Sequence, residues 1–405
     1  MPRLFQINTT IGRGSTGKIA ELISSLAKKA GWECFIAHGP RFIGESEMCS
    51  FQVGGKLDEK WHYCVSRVFD RHGLGSCSAT KKLIEHLDVV KPDVVHIHNI
   101  HGYYANFQLL FKYLAEKGIP TVMTMHDFWL MTGHCAYINK SCGKWETGCG
   151  HCPRLGEYPA AFFDRTKKNW ALKKELLEGF EKDKLVIVPV SYWLEGFAKR
   201  SLLADRRIHT IQNGVDTKLF KPYVGDHSDL WKRVDWSKQT IITVADRWTD
   251  ANGFHDIMAL SRMLPEDMQI VMVGLNDQQQ QGLPEKIVGI GHTDNVQQLI
   301  ELYTSADVLF NSSTEVTFGL VTAEAMACGT PAIVFKNTAG EEIINAETGF
   351  AIADIKEIPE LVRKCRENAA FYKAACRKRI VENFDSVRQY SKYVTLYNEL
   401  LKAGR

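Results

Sequence analysis

The chain has 405 residues, of which 45% are hydrophobic and 24% charged, as in a soluble globular protein with two or three domains. A formal net charge of +3 argues against nucleic-acid binding, and no apolar run reaches the roughly 18 residues that span a bilayer. The first residues lead directly into a strand-like segment without a signal-peptide pattern, so we expect a cytoplasmic protein.

Short β-branched runs alternate with helical patterns along most of the chain. In the first half, strands are predicted at 4–8, 34–37, 94–98, 120–125, 185–190 and 207–212, and helices at 17–30, 79–90, 106–117 and 192–202. A polar segment at 217–238 interrupts the pattern, and strands resume at 240–244, 269–273, 286–289, 307–311 and 331–335. The tail, 359–401, is predicted to be helical, with a break near Phe384–Ser386.

This alternation predicts an α/β protein with two doubly wound, Rossmann-like units, each built on a parallel sheet covered by helices. Ligands of open parallel sheets bind at the carboxyl ends of the strands. Two sheets facing each other across a cleft would therefore place their chemistry in the loops that follow the strands.

The first such loop, from Gly12 to Lys18, has the G-x-x-x-x-G-K spacing of a phosphate-binding P-loop. The next residue is Ile19, where that motif needs a Ser or Thr to hold magnesium, so a P-loop is disfavoured. The glycines can instead serve chain geometry alone. We prefer a turn whose backbone approaches a ligand closely, because glycine removes the Cβ obstacle.

Two later strand ends carry stronger signals. His126 directly follows the strand predicted at 120–125, although a lone histidine in that position is as often structural. The densest motif runs from Ser312 to Pro331, where a strand, a glycine loop and a helix starting near Gly319 follow one another. The N–H groups and dipole at such a helix start suit a diphosphate, and Glu324, one turn further in, can reach a ribose diol.

The segments Asn213–Asp216, Phe318-Gly319…Glu324-Ala325 and Cys328–Pro331 together resemble the hallmarks of glycosyltransferase family four. The resemblance covers essentially the whole chain. The stretch from His126 to Cys135 resembles in particular a bacterial exopolysaccharide branch that includes the colanic acid fucosyltransferases.

The resemblance implies the GT-B fold. An acceptor-binding domain would comprise 1–218 plus 386–405, with the C-terminal helix returning to it, and a donor-binding domain would comprise 219–385. It further implies a retaining enzyme without a catalytic metal or other catalytic cofactor, in which the leaving diphosphate helps to take the acceptor proton.

The resemblance also assigns roles by position. Donor-binding residues would be Gly14, Arg247, Asn252, Phe318, Gly319, Leu320 and Glu324, and catalytic residues would be His126 and Glu315. Arg247 and the helix start at Gly319 would hold the diphosphate, Glu324 the ribose, and His126 the transferred sugar.

Two positions depart from the family pattern. Asn252 stands where the family usually carries a lysine, which removes one positive charge from the diphosphate site. Val316 stands where the first carboxylate of a Glu-x7-Glu pair belongs, and Glu315 can replace it only if the loop bulges.

The expected function is transfer of a hexose from a UDP- or GDP-sugar to a glycan or polyprenyl-linked saccharide in surface polysaccharide biosynthesis. Nucleic acid is not expected as a partner. A catalytically silent nucleotide-sugar-binding protein is the alternative, followed by a P-loop NTPase.

Four of the eleven cysteines, Cys135, Cys142, Cys149 and Cys152, lie within eighteen residues. The Cys-x2-Cys pair at 149–152, with a glycine between, favours a closed four-thiolate structural zinc site. Reduced or disulfide-paired thiols are the alternative, and His134 and His151 are replacement ligands.

The segment 165–174 holds five basic residues, no acidic ones, and Trp170. A basic amphipathic helix can rest on anionic lipid, which would suit peripheral contact with the inner face of the cell membrane. A plain solvated helix face is the alternative.

Overall fold

A computed structural model describes residues 1–138 and 142–403. The chain divides into two compact units. Unit 1 comprises Met1–Gln212 together with the C-terminal segment from Gln389, and unit 2 comprises Asn213–Arg388.

Within the described residues, unit 1 contains a seven-stranded sheet in which all paired strands are parallel. Its strands are β1 (Arg3–Asn8), β2 (Glu33–His38), β3 (Cys49–Gln52), β4 (Val94–Ile97), β5 (Thr121–Met125), β6 (Leu185–Pro189) and β7 (Arg207–Ile208). Their order is β3-β2-β1-β4-β5-β6-β7, so the direction of winding reverses between β1 and β4. The helices are α1 (Gly14–Lys29), α2 (Lys56–Phe69), α3 (Cys77–Val90), α4 (Phe107–Glu116), α5 (Lys144–Thr147), α6 (Thr166–Glu178) and α7 (Tyr192–Ala198).

Unit 2 repeats this plan with a six-stranded parallel sheet in the described part of the chain. Its strands are β8 (Gln239–Val244), β9 (Met268–Val273), β10 (Ile287–Ile290), β11 (Val308–Asn311), β12 (Ala332–Phe335) and β13 (Gly349–Ile352), in the order β10-β9-β8-β11-β12-β13. The helices are α8 (Phe254–Met263), α9 (Asp277–Gln280), α10 (Val296–Ser305), α11 (Leu320–Ala327), α12 (Ile358–Glu367) and α13 (Ala369–Asn383). The last helix, α14 (Ser386–Ala403), belongs to unit 1 from Gln389 onward.

The central strands are buried on both faces. Every residue of β5 and of β9 is buried, as expected for parallel strands covered by helices on either side. Their short, mainly apolar runs explain why these strands could be predicted. The predicted fold class, α/β with two doubly wound sheets, is confirmed.

The C-terminal helix α14 packs into the core of unit 1. Tyr390, Tyr393 and Tyr397 lie in one cluster with Val122 of β5 and Val186 of β6. The prediction that the last helix returns to the N-terminal domain is therefore confirmed. The predicted break before it is confirmed too, because α13 ends at Asn383 and α14 begins at Ser386.

Several elements differ from the prediction. The edge strands β3 and β13 were not predicted, because each has only four residues. No residue of β3 is buried, and only the two end residues of β13 are. The helix α2 was also not predicted, and its burial pattern is unusual: Glu59, His62 and Ser66 are its buried residues. In the described part of the chain, no helix combines the length and the hydropathy that a membrane span requires.

Candidate functional site

In unit 2, two loops at the carboxyl ends of neighbouring strands carry most of the predicted site residues. Arg247 and Asn252 follow β8, and Glu315, Phe318 and Gly319 follow β11. The strands β8 and β11 pair directly, so their loops emerge side by side. This arrangement is the usual ligand-binding edge of a doubly wound sheet.

The two loops are packed together through backbone contacts. The Ser312 hydroxyl donates to the Asn252 carbonyl at 2.7 Å. Gly253 has φ +80°, and a Cβ there would lie 2.4 Å from the Ser312 Cβ. Only glycine permits this approach, because it has no Cβ and adopts positive φ readily. The loop after β8 is thus held at a fixed place beside the loop after β11.

Asn252 holds the conformation of its own loop. Its side-chain amide donates to the Arg247 carbonyl at 2.6 Å, while the Arg247 side chain is exposed. The asparagine that replaces the family's usual lysine therefore forms a backbone contact in this structure.

The helix α11 begins directly at the second loop. Gly319 has φ +96° at the N-cap position and supplies no side chain to cap the first N–H groups. Phe318 is buried and its ring lies 5.9 Å from the Phe384 ring, which anchors the helix start. Leu320 is the first helical residue, so the N–H groups around it suit an anion.

Glu324 lies one turn into α11 and is half-buried. The Tyr303 hydroxyl donates to its Oε2 at 3.5 Å, and burial raises the pKa of Tyr303 well above its usual value. The phenol therefore stays protonated and can steady the carboxylate. Glu315 is half-buried within the loop that precedes α11.

In unit 1, the other two predicted residues follow different strands. Gly14, with φ +68°, begins α1 after β1, and His126 directly follows β5. The strand β4 lies between β1 and β5 in the sheet. Ile19 is part of the hydrophobic core of unit 1, which agrees with the rejection of a magnesium-binding P-loop.

A hydrogen-bonded chain through the core fixes the tautomer of His126. The Gln6 amide donates to the Ala20 carbonyl at 2.8 Å, so its Oε1 accepts from His98 Nε2 at 2.7 Å. His98 Nδ1 must then accept, and it does so from His126 Nε2 at 3.1 Å. The neutral His126 ring therefore carries its proton on Nε2 and not on Nδ1.

The sequence interpretation missed Gln6 and His98. The available signal was the presence of polar residues inside buried strands: Gln6 in β1, His96 in β4 and His98 just after it. Burial lowers the pKa of His126 to about 4, so its imidazole is neutral near pH 7.

A carboxylate–imidazole pair lies beside His126. The Asp127 carboxylate is 2.6 Å from His101 Nε2 and also accepts the Trp129 N–H at 2.8 Å. Burial opposes ionisation of Asp127, but His101 and these hydrogen bonds hold its pKa below the usual value. Neither Asp127 nor His101 was singled out from the sequence.

The four clustered cysteines line one small cavity of about 30 Å³, together with His134. Nevertheless, among residues 1–138 and 142–403, no group of three or more His, Cys, Asp or Glu side chains is arranged to hold a metal ion. The structure therefore brings these cysteines together without showing the predicted zinc site.

The segment 165–174, for which the sequence left membrane contact and a plain solvated face open, leads into α6 and turns two of its residues inward. Lys173 is buried and donates to the Thr132 carbonyl at 2.9 Å, and burial lowers its pKa to about 7. Trp170 is half-buried and donates to the Trp145 carbonyl at 3.1 Å. Lys173 and Trp170 are thus turned into unit 1, whereas Lys167, Lys168 and Lys174 are exposed.

The two parallel sheets define a doubly wound α/β protein, and comparisons with known proteins give its family. The family model described as Glycosyltransferase Family 4 matches residues 19–219, and that described as Glycosyl transferases group 1 matches residues 238–368. The chain belongs to glycosyltransferase family four and is a sugar-transferring enzyme.

Individual relatives agree with this assignment. WcaC of Escherichia coli K12, named for glycosyl transfer in colanic acid biosynthesis, is 25% identical over 315 residues, or 75% of this chain and 74% of that protein. Sucrose-phosphate synthase of Thermosynechococcus elongatus has the same fold, with a TM-score of 0.69 at 16% identity over the whole of both chains. Anabaena HepE, solved with UDP and glucose, matches with a TM-score of 0.63 at 14% identity, over 98% of this chain and 100% of that chain. The family prediction is confirmed, whereas the fucosyltransferase-like branch stays a prediction.

The buried histidines predict acid sensitivity. Burial lowers the pKa of His62 and of His126 to about 4, against about 6.5 in an unfolded chain. Between these values the unfolded chain binds more protons, so stability is present above pH 6.5 and is lost as the pH falls towards 4. Lowering the pH from 7 to 5 should reduce the free energy of unfolding by about 2 kcal/mol for each of these two histidines. Urea denaturation at both pH values checks this, and an unchanged unfolding free energy would contradict it.

Proposed function

We propose that this enzyme transfers a hexose from a UDP- or GDP-sugar, with retention of anomeric configuration, to a glycan or polyprenyl-linked saccharide in surface polysaccharide biosynthesis. Unit 2 is proposed to bind the donor and unit 1 the acceptor. The observation that carries this proposal is the pair of packed loops after β8 and β11, which leaves the Arg247 side chain exposed in one loop and leads into α11 from the other.

In this proposal the charge of the leaving diphosphate is held by Arg247 and by the N–H groups around Leu320. The bond between the anomeric carbon and the diphosphate breaks as the acceptor oxygen attacks from the same face. The acceptor proton passes to the departing diphosphate oxygen. Glu324 would bind the ribose, with Tyr303 steadying its carboxylate.

His126 is proposed to bind the transferred sugar. Its pKa of about 4 keeps the imidazole neutral near pH 7, and the hydrogen bond between its Nε2 and His98 Nδ1 orients the ring. Gly14, at the start of α1, would let the backbone approach the diphosphate. Asn252, in the loop after β8, and Glu315, in the loop after β11, would form part of the donor site.

Two relatives support the choice of partners. Anabaena HepE was crystallised in complex with UDP and glucose, which favours a nucleoside diphosphate sugar as donor. WcaC is named for colanic acid biosynthesis, which favours a saccharide acceptor. Peripheral membrane contact belongs to the same proposal, because a polyprenyl-linked acceptor is embedded in a bilayer.

A panel of labelled UDP- and GDP-sugars tests the proposal by measuring sugar transfer and donor hydrolysis. The variant Arg247→Ala tests the proposed donor site. Charge-assisted contacts are worth on the order of 1.5–3 kcal/mol, so the variant should bind UDP or GDP at least about tenfold more weakly by calorimetry. Arg363→Ala, which alters an exposed arginine of α12, is the control and should bind normally. Unchanged affinity in Arg247→Ala would refute the donor site, and binding without any transfer or donor hydrolysis would favour a catalytically silent protein.

His126→Ala should lower turnover by about a hundredfold, as the loss of a catalytic hydrogen bond commonly does, with little change in nucleotide affinity. His86→Ala is the control, since His86 stacks on Phe51 in unit 1 at 4.5 Å and has no proposed role. Melting temperatures establish that both variants fold. Turnover of His126→Ala equal to wild type would remove His126 from the site.

A structural zinc ion held by Cys135, Cys142, Cys149 and Cys152 stays a proposal. Two observations support it: the four residues share one cavity with His134, and Asp70 holds His134 Nδ1 at 2.6 Å while Nε2 has no hydrogen-bond partner among the described residues. Metal analysis of the purified protein should then find about one zinc per chain, and Cys149→Ser should release it and lower the melting temperature. A stable, active, metal-free protein would reject the proposal.

A further inference from the structure

The helix α2 has its polar side turned inward and its apolar side turned outward. Glu59, His62 and Ser66 are its buried residues. By contrast, the side chains of Leu57 and Trp61 are 82% and 69% exposed. A surface helix of a globular protein normally buries its apolar stripe, so the orientation of α2 is the reverse of the usual one.

Hydrogen bonds to the buried polar residues hold the helix in this orientation. The Glu59 carboxylate is 2.6 Å from the Arg41 guanidinium. His62 Nε2 accepts the N–H groups of Gly73 and Gly75, each at 3.1 Å. Rotating α2 to bury its apolar residues would break these bonds and leave the buried groups unpaired, which is costly. The apolar residues must therefore face outward.

A neighbouring loop extends the apolar surface. Phe162 and Phe163 are 67% and 65% exposed, and their N–H groups donate to the carbonyls of Arg67 and Val68 at 2.9 and 3.1 Å. The Phe163 ring stacks on Phe69, with ring centroids 6.2 Å apart. We call Leu57, Trp61, Phe69, Phe162 and Phe163 together the α2 apolar surface. Exposed apolar residues of an ordinary protein surface are scattered singly, whereas Phe162 and Phe163 lie beside Phe69 at the end of α2.

The charges around the α2 apolar surface are mainly positive. Lys56 and Lys60 are exposed on α2, and the Arg67 guanidinium lies 4.8 Å from the centre of the Phe162 ring. Of the two acidic residues of α2, Glu59 is buried against Arg41. Asp58 accepts the Gly55 N–H at 2.9 Å at the start of the helix.

We propose that the α2 apolar surface docks on an anionic lipid bilayer. Trp and Phe side chains bordered by lysines are the residues that helices lying in the membrane interface present to lipid. A protein partner or a second copy of the chain fits less well, because lysine is depleted in protein–protein interfaces.

The position of α2 suits an acceptor held in the bilayer. The ring of Tyr63 on α2 lies 5.4 Å from that of Tyr103, in the loop that follows β4 at the carboxyl edge of the sheet. The docking itself is independent of the chemistry, but delivery of a lipid-linked acceptor to this edge rests on the proposed function.

Co-sedimentation of the full chain with vesicles tests the proposal. The protein should bind vesicles of phosphatidylcholine mixed with phosphatidylglycerol, bind those of phosphatidylcholine alone much more weakly, and lose binding as salt is raised. Trp61→Ser and Phe163→Ser should each weaken binding about tenfold. The double variant Lys56→Glu/Lys60→Glu should weaken it by about thirtyfold or more.

Phe371→Ser is the matched control, because Phe371 is an exposed aromatic residue of unit 2, and it should leave vesicle binding unchanged. Melting temperature and UDP or GDP affinity, measured without lipid, should be unchanged in every variant. Those nucleotide measurements keep a failure of the docking proposal separate from a failure of the proposed function. Absence of vesicle binding, equal binding by the surface variants, or a change of oligomeric state in Trp61→Ser without lipid would each overturn the proposal.

Discussion

The constraint on which unit 1 depends is that polar side chains inside its central strands must be hydrogen-bonded. Gln6 lies in β1, His96 in β4 and Thr124 in β5, where the sheet is covered on both faces. An unpaired polar group there would cost about 1–3 kcal/mol. Each of the three is satisfied by an element packed on the sheet. These bonds therefore fix where the helices lie.

Two helices are positioned in this way. Gln6 bonds the Ala20 carbonyl and the Ser24 hydroxyl of α1. His96 bonds the Tyr397 hydroxyl at 2.6 Å, and Thr124 bonds that of Tyr393 at 2.9 Å, so α14 is tied to the same strands. The chain from Gln6 through His98 ends at His126, at the edge where the proposed chemistry lies. The hydrogen bonds of Gln6 thus both position α1 on the sheet and, through His98, determine the tautomer of His126.

Unit 2 organises its site by a different means. Its donor-side loops are held by contacts of the backbone: the missing Cβ of Gly253, the Ser312 hydroxyl on the Asn252 carbonyl, and the Asn252 amide on the Arg247 carbonyl. Such contacts leave the Arg247 side chain exposed and the start of α11 uncapped. The substitution of asparagine for the family's lysine is consequently compatible with an ordered loop, although it removes a positive charge.

The sequence by itself determined the alternation of strands and helices, the doubly wound class of both units and the helix start at Gly319, because hydrophobic periodicity and glycine loops are local properties. It also placed Arg247 and His126 after strands, since the chain order alone puts them there. Only the tertiary structure decided the partners of Gln6 and His98, the inward turn of Lys173 and Trp170, and the outward turn of Leu57 and Trp61. In each of these cases the outcome depends on hydrogen-bond partners distant along the chain. No local pattern encodes such partners, so the orientation of these side chains follows from packing.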